Sequence, residues 1–152
     1  MRLITLTISA GILLWAADQP PSAAIFRSNS DLLADLQKSI QKTPQGMSTS
    51  AVANSDHYRI NLVHRTVAAG AIAHPGFSEL HYITEGSGNI VTGGTIMRPE
   101  GKPASAAVIE NGVERHVVKG DTILIPGGMP HWYKTIDGAI TYLEVRFEDP
   151  KK

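Results

Sequence analysis

Two segments of this chain set imidazole and carboxylate groups beside tight glycine turns. Residues 73–88 read Ala-His-Pro-Gly-Phe-Ser-Glu-Leu-His-Tyr-Ile-Thr-Glu-Gly-Ser-Gly, and residues 120–131 read Gly-Asp-Thr-Ile-Leu-Ile-Pro-Gly-Gly-Met-Pro-His. There is no cysteine, which excludes thiol chemistry and thiolate sites. Any metal held by this chain must therefore bind imidazole and carboxylate, donors that suit iron, copper, manganese, nickel or zinc and not an iron-sulfur cluster. In a strand, residues two apart share a face, so Glu79 and His81 point one way while Leu80 and Tyr82 point the other. By the same spacing Tyr133 shares a face with His131.

Groups of this kind need strands to hold them, and from Asp56 onward the pattern is β. Residues 58–67 alternate and are rich in β-branched side chains, and Ala69-Gly70 breaks them. Further short strands are expected over 72–74, 80–84, 88–91, 107–110, 114–118, 122–125, 131–134 and 140–147. Strands this short, punctuated by Gly or Pro, indicate an antiparallel sandwich or barrel. Gly93-Gly94, Asn111-Gly112 and Gly127-Gly128 read as hairpin turns, and no helix follows a Gly-x-Gly that would make it a phosphate loop. One helix is expected over 28–41, capped by Ser28 with Asp31 three residues on. Its apolar stripe is Leu32, Leu33, Leu36 and Ile40, and Pro44 stops it.

The two segments are similar to the paired signature motifs of the cupin superfamily. In the second motif Gly120, Pro126, Gly128 and His131 fall in register, and Thr135 stands where the motif has asparagine. In the first, His74, Glu79 and Gly86 fit, but Ile72 occupies the position of the first histidine. The resemblance covers roughly residues 58–147. It implies an all-β jelly-roll barrel with one N-terminal helix packed outside it, and one divalent metal per chain. His74, Glu79 and His131 are the implied metal ligands, with His81 the candidate substitute for the histidine lost at Ile72.

Two imidazoles and one carboxylate leave open coordination positions for substrate and for water or oxygen. Such a site supports Lewis-acid chemistry, and with copper or iron also redox chemistry. If His81 binds and Glu79 does not, a three-histidine site results. The candidate catalytic residues are Tyr133, as a proton donor or hydroxyl-binding group, and His64, as a base reaching the pocket from the preceding strand. The leading expectation is an oxidative metal-dependent enzyme acting on a small organic or carbohydrate-derived substrate. A non-redox lyase or isomerase, and a binding protein without catalysis, are the alternatives.

Fourteen basic and fourteen acidic residues balance, which argues against nucleic acid or an anionic membrane as partner. Residues 1–24 read as an export signal: Arg2, an apolar run to Trp15 too short to span a bilayer comfortably, then Ser22-Ala23-Ala24 as a cleavage site. Residues 25–57 are expected to form the helix and a linker, and 58–150 the barrel. A secreted or periplasmic location follows, with no membrane span after cleavage. Export favours copper, then zinc, iron or manganese, because intrinsic affinity peaks at copper. A homodimer is expected, the polar stretch 45–55 crossing to the partner.

Overall fold

The computed structural model describes residues 24–150, so the expected export signal lies, except for Ala24, outside the described residues. Helix α1 (Asn29–Lys42) starts where expected, with the Ser28 side chain accepting from the Asp31 N–H at 3.1 Å. Only Leu36 of its stripe is buried, and Leu33 is exposed. The helix packs on the first two strands, β1 (Met47–Asn54) and β2 (Tyr58–Arg65). The sheet thus begins at Met47, ahead of the boundary expected at Tyr58. Strand β1 pairs with β2 of its own chain from Met47↔Arg65 to Asn54↔Arg59. Its alternation escapes a hydrophobic reading because the buried positions are Ser48 and Ser50.

The remaining elements are β3 (Phe77–Thr92), β4 (Thr95–Met97), a single 3-10 turn (Ala104–Ala106), β5 (Val108–Glu110), β6 (Val113–Val118), β7 (Thr122–Ile125) and β8 (His131–Glu148). The main sheet runs β1-β2-β8-β3-β6, β7 pairs with the first half of β3, and β4-β5 form a separate ribbon. Every pairing is antiparallel. This is the all-β fold with one helix that the sequence implies, but its strands differ: the stretch 72–74 makes only a single bridge, Ile72 to His131, and β4 is not among those expected. The stretches 80–84 and 88–91 join into β3, and 131–134 and 140–147 join into β8.

Glycine explains why these strands bend without ending. Gly86 adopts φ 76°, and a Cβ there would strike the Ala139 carbonyl of β8. A left-handed residue at such close approach favours glycine, and the β3–β8 ladder resumes beyond it with shifted register. The bends bring Val63, Ile83, Ile90, Val117, Ile125, Tyr133, Ile140 and Tyr142 from five strands into one core. Full burial of side chains such as Ile83 and Ile140 stabilises by about 1.5–3 kcal/mol each.

Candidate metal centre

Backbone hydrogen bonds staple the two motif segments together. Ile72 and His131 exchange N–H···O bonds of 3.0 and 2.9 Å, and the His74 carbonyl accepts from the Gly128 N–H at 3.0 Å. Ser78 Oγ donates to Asp149 at 2.5 Å and accepts from the Gly127 N–H at 3.0 Å, which fixes the second turn against the start of β3. Ile72, where the motif has histidine, lines the cavity mouth and is 44% exposed. Its backbone positions His131, and its side chain offers nothing to a metal.

Glu79 is the centre of the cluster and is 1% exposed. His74 Nε2 lies 3.2 Å from its Oε1. His81 Nε2 and His131 Nε2 lie 3.2 and 3.4 Å from its Oε2. With Glu144 these residues fall into two overlapping sets with mutually close ligand atoms: His74, Glu79 and His131, and Glu79, His81 and Glu144. His81 therefore shares Glu79 with the first set but keeps company with Glu144, its partner across the β3–β8 ladder.

The hydrogen bonds assign the protons. His131 Nδ1–H donates to the Met129 carbonyl at 3.1 Å, leaving a lone pair on Nε2. Burial lowers the pKa of His131 and of His74 despite the pull of Glu79, so both rings are neutral at pH 7. The His131 lone pair thus faces a carboxylate oxygen with no proton between them. Two acceptors so placed call for a cation. Ligand atoms around an ion with bonds of about 2.1 Å sit about 3.0–3.4 Å apart; each imidazole lies at that spacing from a Glu79 oxygen, and the three ligand atoms lie within 4.8 Å of one another, so these residues fit a divalent metal. On the other side His81 Nε2–H donates to Glu79, and Tyr133 O–H donates to His81 Nδ1 at 3.2 Å.

Arg146, which the motif reading did not single out, supplies a cation of its own. Its Nε donates to Glu79 Oε1 at 2.6 Å and its Nη2 to His74 Nε2 at 3.0 Å. Burial alone would raise the Glu79 carboxyl, but the hydrogen bond from His81 and the nearby His131, Arg146 and His81 outweigh it and hold the pKa down at about 2.

The cluster opens onto a cavity of about 500 Å3. Tyr133 lines it, 5% exposed, with its phenol pKa pushed up by burial. Tyr133 is therefore a hydrogen-bond donor and not a base. His64 does not line the cavity. The cavity wall on β2 is Arg59, Asn61, Val63 and Arg65, and His64 points to the opposite face, where Nδ1 meets Thr141 Oγ1 at 2.9 Å. The expected base from this strand is corrected by strand parity. Glu144 and Tyr142, like Arg65 absent from the sequence reading, also line the cavity.

Fold and cluster together define a small jelly-roll barrel with a histidine–carboxylate site in its interior. The Cupin family model matches residues 36–150, and the chain belongs to the cupin family. A comparison with curated proteins gave no match. Among solved structures it is similar to a Bacillus halodurans protein, 17% identical over 87% of each chain with a TM-score of 0.53. It is also similar to a predicted oxalate decarboxylase of Thermotoga maritima, 16% identical over 68% of this chain and 81% of that one, TM-score 0.51. The Cnp3 cupin domain of Schizosaccharomyces pombe is 12% identical over 69% and 66%, TM-score 0.50. At these identities the likeness is one of fold.

Proposed function

We propose that this protein is an exported metal-dependent enzyme that holds one divalent transition ion at His74, Glu79 and His131 and acts on a small organic molecule in the cavity. The observation that carries this reading is the convergence of His74, Glu79 and His131, with His131 Nε2 3.4 Å from a Glu79 carboxylate oxygen while its Nδ1 is engaged by the Met129 carbonyl. When bound, copper, the metal this proposal favours, or iron would supply redox chemistry, and zinc or manganese Lewis acidity. The chain's own residues do the rest. The Tyr133–His81–Glu79 hydrogen bonds orient the carboxylate, and Tyr133 presents a neutral phenol to the cavity. Ile72 at the position of a family ligand favours, as second reading, a binding protein that keeps the barrel without catalysis.

Elemental analysis after loading with copper or zinc tests the ligand set. The expected result is about one ion per chain in the parent, none in His74→Ala or His131→Ala, and a weakened site in His81→Ala. His64→Ala serves as control, since its side chain faces away from the cavity, and should load as the parent does. Full metal content in His74→Ala would overturn the proposed site.

Export belongs to the same proposal and rests on the apolar run and small residues of 1–24. So does a homodimer, for which the free edges of an open sheet are the argument. Light scattering of the chain without residues 1–24 should give twice the chain mass at micromolar concentration, and a single-chain mass would remove the dimer.

A further inference from the structure

The charges around the cavity go beyond what an ion requires. Its wall carries Arg59, Arg65 and Arg146 against Glu79 and Glu144. Three guanidinium groups face two carboxylates there, an excess of one positive charge before any histidine or metal ion is counted. Arg146 is matched, 2.6 Å from Glu79 and 3.8 Å from Glu144. Arg65 is not. Its Nε donates to Tyr142 Oη at 2.8 Å and its guanidinium lies 6.0 Å from the centre of the Tyr133 ring. It forms no ion pair among the described residues.

Its protein neighbours on that side are the Tyr142 and Tyr133 phenols, not acids. A half-buried guanidinium cannot shed its charge, and charge left without a partner in a partly desolvated wall is unfavourable. The Tyr142 hydrogen bond and the Tyr133 ring fix its head while its terminal nitrogens stay free of protein acids. That is the arrangement in which arginine receives a carboxylate through two parallel N–H···O bonds.

We propose, on the reading of this cavity as a substrate site, that its ligand is a small carboxylate anion anchored by Arg65, and not a neutral sugar. Net positive charge brings such an anion in, and Arg65 sets its orientation toward the histidine–carboxylate cluster. A neutral polyol would leave the charge of Arg65 without an acidic partner.

Calorimetric titration with malonate, with glucose as the neutral probe, tests this at 0.15 M salt. It is run on chelator-treated and on zinc-loaded protein, for the parent, Arg65→Gln and Arg65→Lys. Malonate should bind the parent and glucose should not. Arg65→Gln should weaken malonate at least about tenfold, the effect of losing one charged hydrogen-bond pair, with Arg65→Lys in between. Malonate binding unchanged in Arg65→Gln, or glucose binding in preference to malonate, would overturn the assignment. Thermal melts of both variants show whether they fold, and the retained charge of Arg65→Lys keeps the comparison decisive if Arg65→Gln does not. Zinc uptake is read separately. A chain that takes no zinc but binds malonate through Arg65 loses the metal and keeps the anion site.

Discussion

Glu79→Gln should abolish metal binding and lower the stability of the metal-free protein by roughly 3–5 kcal/mol. The substitution keeps the shape of the side chain and removes its charge. Arg146, whose side chain is 20% exposed, then faces an amide where it had a carboxylate at 2.6 Å, and removing one partner of a buried pair is what makes such changes costly. Linkage gives a similar figure. A carboxyl whose pKa falls from 4.5 unfolded to about 2 folded contributes at most roughly 3 kcal/mol, because part of that shift comes from charge on His131 and His81 that neutral rings do not supply. The folded value is depressed, so this stability is fully present above pH 4.5 and is lost as pH falls through 4.5 toward 2. The difference between parent and Glu79→Gln should therefore be about 10 °C or more in melting temperature at pH 7 and should shrink markedly by pH 3. Equal melting temperatures at pH 7 would show that Glu79 is held by less than its neighbours suggest.

The motif segments made the centre of this site legible and hydrophobic patterning hid its walls. His74, Glu79 and His131 stand at spacings that turn chemistry enforces, and strand parity put His81 beside Glu79. Parity misleads where a cavity is polar and the outer face is covered. On β2 the apolar set is Ile60 and Leu62, which suggests that His64 faces in and Arg59, Asn61 and Arg65 face out. The cavity wall is the second set, while Leu62 is buried on the other face, the side on which α1 contacts β1 and β2. On β8 the alternation sets Thr141, Leu143, Val145 and Phe147 against Ile140, Tyr142, Glu144 and Arg146. The more apolar set faces away from the cavity. Strand β1 was hidden for a related reason, since its buried positions are serines, and Ser50 Oγ has no hydrogen-bond partner among the described residues.

Arg146→Met should separate the fold from the ion, weakening the first and strengthening the second. The guanidinium donates to Glu79 Oε1 and His74 Nε2, the atoms that an ion bound by His74, Glu79 and His131 would use. An ion entering that set must displace it. A second cavity of about 320 Å3, lined by Asp56, Arg59, His74 and Arg146, adjoins these side chains and gives the displaced head an acidic neighbour. Charged hydrogen bonds stabilise by about 1.5–3 kcal/mol. If that contribution is given up on metal entry, its removal should tighten zinc by roughly 10–100-fold. The metal-free protein should melt lower, because Glu79 loses its cation. Competition against a chromophoric chelator measures the affinity, and Arg146→Lys, which keeps a positive charge, should stay near the parent. Weaker zinc binding in Arg146→Met would point the other way. The ion would then sit at Glu79 Oε2 between His131 and His81, with Arg146 holding Oε1 and His74 as a fixed wall, and His81 rather than His74 would be the third ligand.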